Sequence, residues 1–143
     1  MFDISHARLA CESLNIKYDD YLNQLDNTEK VKILHSTGNI RTTEKNKHII
    51  DKHVLITEDE IRDIIKALNK FTNLDLFVSE FTDDTEFSGV KETIIEAVVL
   101  HYVVKTKDEE KCKKILKFLE DGLKDDISNA DEILKKVSHM DFN

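Results

Sequence analysis

Residues 89–105 read GVKETIIEAVVLHYVVK, the longest strongly apolar run in the chain. About seventeen residues is long for a strand and ordinary for a helix. VVLHYVV is rich in β-branched residues, which suit a sheet, but the segment that follows opens with its own helix-start signal. The run therefore predicts a helix over 89–105, with Ser88 as its cap. Turned at ~100° per residue, Val90, Ile94, Ala97 and Val98 share one side. Glu92 and Glu96 fall one turn apart on the other. The expectation is that the first four face inward, that the glutamates meet water, and that the second half is covered all round.

The flanking segments read as amphipathic pieces around this helix. Asp3 or Ser5 can cap a first helix to about Asn15, with Ile4, Ala7, Cys11 and Leu14 as its stripe. A second starts near Asp19, with Tyr18, Tyr21, Leu22 and Leu25 at helical spacing. Asp26-Asn27-Thr28 interrupts it, Val31, Ile33 and Leu34 resume it, and Gly38 is a stop. Residues 39–53 show no clean period; a loop is expected there, then a short helix or strand through Ile49–Ile56. Thr57 and Glu60 have capping-box spacing. They predict a helix at 58–71 with Ile61, Ile64, Ile65 and Leu68 inward. Leu74–Phe87 fits a strand or a continued helix, with a two-stranded pairing between 53–56 and 74–78 as one outcome. Thr106 and Glu109 are a second capping-box pair, ahead of a stripe of Cys112, Ile115, Leu116 and Leu119 with Phe118 beside it, and Gly122 ends that helix. Ser128 starts the last, with Ala130, Ile133, Leu134 and Val137 inward. The expected architecture is mainly α: a compact bundle of about six or seven helices, one domain over 1–143, with at most one short two-stranded β element.

Composition narrows the function classes. With 143 residues, 40% hydrophobic and 35% charged, the chain can build one real core. No apolar run reaches the ~18 residues of a membrane span. The N-terminus, MFDISHARLACESL, lacks an apolar signal core, so a cytoplasmic location and no membrane partner are expected. Cys11 and Cys112 have no metal spacing and read as buried free thiols. Proline is absent and glycine occurs three times, at 38, 89 and 122, which favours helices. Residues 1–72 carry 12 acids and 11 bases, whereas 73–143 carry 17 acids and 10 bases, so nearly all of the net charge of -8 lies in the second half. Such a half repels nucleic acid and attracts basic proteins.

No GxxxxGK[ST], GxGxxG, HExxH or GxSxG occurs, and isolated glycines cannot build a phosphate cradle. No catalytic residue, metal ligand or cofactor is assigned. His48 and His53, five apart, share no face on either a helix or a strand. Glu92 and Glu96 lack the Glu-x-x-His partners of a di-metal bundle and read as a solvated face. His101 reads as a half-buried histidine, with an acid/base role as its functional alternative. The basic residues Arg41, Lys45, Lys47 and Lys52 lack the interleaved aromatics of a nucleic-acid surface.

The segment 75–87 is the candidate binding site. Asp75, Glu80, Asp83, Asp84 and Glu86 occur with no base among them, and Phe77, Phe81 and Phe87 are interleaved. Acids orient a cationic partner and aromatics supply a desolvated anchor. The competing reading places the phenylalanines in the core and the acids in a loop ahead of a helix N-terminus. The function expected is a non-catalytic module that occludes a basic protein such as a nuclease or toxin domain, in the manner of toxin-immunity or anti-defence inhibitors. The alternatives are a helical adaptor or self-associating domain, and an enzyme with a site around His101 or Glu92/Glu96.

Overall fold

The computed structural model describes residues 1–41, 49–80 and 89–140, giving the backbone alone for 39–41 and 49–53. The described residues are mainly helical, with six α-helices. None of these helices is long and apolar enough to cross a membrane. The chain divides into two compact units, residues 1–82 and 83–143, and each has its own logic.

The first unit carries a three-stranded parallel sheet rather than an isolated strand pair. Strands β1 (Phe2–Asp3), β2 (Ile33–Ser36) and β5 (Leu76–Ser79) lie in that order. Phe2 aligns with Leu34 and Asp3 with His35, while Ile33 through Ser36 align with Leu76 through Ser79. Parallel strands need long crossovers. Helices α1 (Ile4–Ser13) and α2 (Tyr18–Gln24) fill the first, and α3 (Glu58–Lys70) lies in the second. Strands β3 (Gly38–Arg41) and β4 (Ile49–Val54) form a separate antiparallel pair between β2 and α3.

The helix expected to resume at Val31–Leu34 is therefore strand β2. Asn27 takes a left-handed backbone at φ 54°, which ends helical continuity before a short 3-10 turn at Thr28–Lys30. Ile33–Ser36 then alternates half-buried and buried, the period of a strand rather than a helix. The pairing expected between 53–56 and 74–78 is also replaced: β5 pairs with β2, and β4 with β3. Gly38 starts β3 and ends no helix. A Cβ there would lie 2.1 Å from the Val54 carbonyl oxygen, so the close approach of two backbones requires glycine.

Helices α1 and α3 follow the predicted stripes. Asp3 caps α1 by accepting from the His6 N–H at 2.8 Å. Ile4, Ala7 and Cys11 are buried, whereas Leu14, one residue past the helix, is exposed. At α3 the Glu60 carboxylate accepts from the Thr57 N–H at 2.6 Å, and Ile61, Ile64, Ile65 and Leu68 are buried. Phe2 packs against the buried Phe71 at 4.7 Å between ring centroids.

The second unit is helical: α4 (Val90–Thr106), α5 (Glu109–Gly122) and α6 (Ala130–Ser138). The predicted helix at 89–105 is present, but it presents the opposite face. Ile95, Glu96, Val99, Leu100 and Val103 are buried, whereas Val90 is 60% and Val104 45% exposed. Ala97 and His101 are exposed too, so the second half of α4 is not covered all round. Both sides of this helix are apolar, so periodicity alone could not choose between them. The predicted cap Ser88 lies outside the described residues; the Glu92 carboxylate accepts from the Gly89 N–H at 3.2 Å.

The start of α5 differs from the predicted Thr106/Glu109 box. Asp108 is the cap, accepting from the Lys111 N–H at 3.0 Å, while the Thr106 hydroxyl donates back to the Tyr102 carbonyl. The stripe itself holds, with Cys112, Ile115, Leu116 and Leu119 buried. Gly122 closes α5 beside Ile133, whose Cδ1 would meet a Cβ there at 3.2 Å. The cap of α6 is Asn129 rather than Ser128, and Ile133 and Val137 are its buried residues.

Candidate functional site

The carboxyl ends of the three parallel strands gather a charged cluster. Asp3 closes β1, His35 lies in β2 and Glu80 follows β5. His35 Nδ1 lies 2.7 Å from Asp3 Oδ2, and its Nε2 lies 2.9 Å from Glu80 Oε2. His6 Nδ1 meets the same Asp3 oxygen at 2.7 Å. Only a doubly protonated imidazole can donate through both nitrogens, so the cation form of His35 satisfies both carboxylates at once. Desolvation pushes the Asp3 carboxyl up. The His6 N–H and the two imidazoles outweigh that, and its pKa falls below the ordinary value.

Open α/β sheets bind ligands beyond the carboxyl ends of their strands, at a point where the strand order reverses. Among the described residues this sheet runs β1-β2-β5, without such a reversal. Near the cluster the Ser5 hydroxyl is engaged: it donates to the Thr37 carbonyl at 2.7 Å and accepts the Thr37 N–H at 2.8 Å. No group of three or more metal-ligating side chains occurs among the described residues. What the geometry does provide is a tie across three strands whose residues are 32 and 45 positions apart in sequence.

A second polar centre sits between α1 and α3. Arg8, buried, donates to Glu60 at 2.8 Å and to Asp63 at 2.8 Å. Burial raises the Asp63 pKa, against the opposing pull of Arg8, Arg62 and Lys66. A cavity of about 470 Å³ opens beside this pair, lined among others by Cys11, Lys17, Tyr18, Arg62 and Lys66. Burial also raises the Cys11 thiol and the Tyr18 hydroxyl, which keeps both neutral and poorly reactive.

The candidate segment 75–87 is described only in its first part. Asp75 is exposed, and beside it Leu76 is 52% exposed at the start of the edge strand β5. Phe77 is half-buried. Glu80 is bound by His35 rather than simply displayed. Phe81, Asp83, Asp84, Glu86 and Phe87 lie outside the described residues, as does His48; His53 is described in backbone only.

The residues of the alternative enzyme reading do not converge. His101 is exposed, with its ring edge-on to Tyr102 at 5.4 Å. Glu92 is occupied at the helix start, and Glu96 is buried one turn further on. Neither the His35 cluster nor the Arg8 centre was singled out in the sequence. Asp3, expected as a cap of α1, was the one member of the first with a local signal.

Comparison of the chain with protein-family models, with curated proteins and with solved structures finds no match.

Proposed function

We propose that this protein is a non-catalytic binding module of the cytoplasm that docks an acidic surface onto a basic protein and occludes it, as immunity and anti-defence inhibitors do. The observation that supports this reading is the exposed Asp75–Leu76 pair at the sheet edge, a carboxylate next to an apolar side chain that is 52% exposed. The amino-acid sequence continues that acidic run through Asp83, Asp84 and Glu86. An exposed apolar residue beside acids is the composition of an anchor with a steering rim. Lysines and arginines that hold nucleic-acid phosphates on a nuclease or toxin would meet these carboxylates.

The test is parallel affinity capture from the source cell with the wild-type chain and with Asp75→Lys/Asp83→Lys/Asp84→Lys. The wild type should retain a basic protein at low salt and release it at high salt, and the variant should fail to retain it. Equal capture by both chains would remove this surface from the account.

A further inference from the structure

His35 reaches two carboxylates through two different nitrogens, and the two contacts are unequal. Nδ1 meets Asp3 Oδ2 at 2.7 Å and Nε2 meets Glu80 Oε2 at 2.9 Å. The Asp3 side chain is 19% exposed and that of Glu80 51%, with the imidazole between them at 13%. The titratable groups around the ring come from three directions: Asp3 from β1, His6 from the first turn of α1, and Glu80 from the end of β5. His6 meets Asp3 from three residues away, so that contact spans no strand pair.

A doubly protonated ring donates to both carboxylates. A neutral ring has one N–H and one bare nitrogen, and a bare nitrogen facing a carboxylate sets lone pair against lone pair. One contact is then given up, and burial decides which. A buried carboxylate that loses a donor has little water to replace it, whereas a half-exposed one turns to solvent. The remaining proton therefore stays on Nδ1, with the more buried Asp3, and the contact from Nε2 to Glu80 is the one lost.

We propose that His35 is a proton-operated clasp across the sheet: its cation form pins the end of β5 to β2, and loss of the Nε2 proton unpins that end while β1 stays tied. Imidazoles change charge between about pH 5 and 8. The tie is present at the acid end of that range and lost at the alkaline end. Two backbone bonds report on the same strand pair. The Glu80 N–H donates to the Ser36 carbonyl at 3.1 Å beside the clasp, and the Asp75 N–H donates to the Lys32 carbonyl at 2.8 Å at the opposite end.

NMR of the full chain labelled with 15N, at pH 5.5 and 8.5, tests this. Both His35 ring nitrogens should be protonated at pH 5.5, and at pH 8.5 the ring should be neutral with its proton on Nδ1. Over the same step, exchange of the Glu80 amide relative to that of Asp75, corrected for the intrinsic effect of pH, should rise by about threefold or more as the strand end opens. In His35→Gln, whose amide does not change charge, the ratio should be equal at both pH values; in His6→Gln it should rise as in the wild type. A ring already neutral at pH 5.5, still doubly protonated at pH 8.5, or neutral with its proton on Nε2 would overturn the proposal. So would a Glu80 ratio that does not move, or that moves equally in His35→Gln. The ring nitrogens and the ratio are read in the wild type, so they decide the matter even where a variant fails to fold. None of these outcomes bears on the acidic docking surface, which is read from capture of a basic protein.

Discussion

Glu96 and Val90 stand on opposite faces of α4, and the carboxylate is the buried one: Glu96 is 2% exposed and Val90 60%. Substituting lysine at each position separates the two faces. Val90→Lys should change stability by no more than about 0.5 kcal/mol, as surface changes do. Glu96→Lys places a cation where a carboxylate is buried and should cost roughly 3 kcal/mol or more. Urea unfolding of the two variants checks this, and equal costs would contradict the described orientation.

Arg8 joins α1 to α3 through two buried carboxylates, Glu60 and Asp63. Removing it takes the closest cation from both, leaving Glu60 the Thr57 N–H and Asp63 the more distant Arg62 and Lys66. Arg8→Met should destabilise the first unit by roughly 3–5 kcal/mol, the usual cost of breaking a buried pair from one side. Thermal unfolding followed by circular dichroism reads the loss. The triple change Arg8→Met/Glu60→Gln/Asp63→Asn should recover part of it, because no uncompensated charge remains.

The strand-end cluster predicts an acid-limb effect. The Asp3 pKa lies below that of an unfolded aspartate, so ionised Asp3 adds stability above the ordinary carboxyl range. That contribution fades as pH falls from about 4 through the lower folded value, where the native carboxylate is protonated. Asp3→Asn keeps a good helix cap while removing the charge. It should be less stable than wild type by about 1 kcal/mol at pH 6, with the gap closing as pH falls below the ordinary carboxyl range. A gap that stays constant over that range would place its cause elsewhere.

How far the fold could be read from sequence follows the kind of signal each element carries. Helices α1, α3 and α5 have one apolar stripe each, and their buried residues Cys11, Ile64 and Leu116 lie where the spacing puts them. Helix α4 has two apolar sides, so its inner face is fixed by tertiary packing. Strand β2 was hidden for a related reason. Val31, Ile33 and Leu34 are also compatible with helical spacing, and only pairing with Phe2–Asp3 and Leu76–Ser79 makes Ile33–Ser36 a strand. The His35 cluster assembles across 32 and 45 residues, a distance at which one sequence carries no periodic signal. Of the candidate site, the acids were legible as composition, though the apolar anchor was expected at Phe77, Phe81 and Phe87 and not at the exposed Leu76. The capture of Glu80 by His35 was not.

Gly38 supplies a direct check on the β3–β4 pair. A Cβ would meet the Val54 oxygen at 2.1 Å and the Leu55 oxygen at 2.6 Å, and both are backbone atoms that cannot turn aside. Gly38→Ala should cost roughly 1–3 kcal/mol as overpacking. Hydrogen exchange should show its protection loss concentrated at Gly38–Arg41 and Ile49–Val54. A neutral substitution would mean the two backbones lie further apart.

The docking account is tested most directly by the association rate of this chain with the basic protein it captures, measured by stopped-flow between 50 and 500 mM salt. Steering by carboxylates predicts a fall in rate of about tenfold or more over that range, with a slower and flatter profile for Asp75→Lys/Asp83→Lys/Asp84→Lys. A rate independent of salt, and the same for both chains, would contradict it.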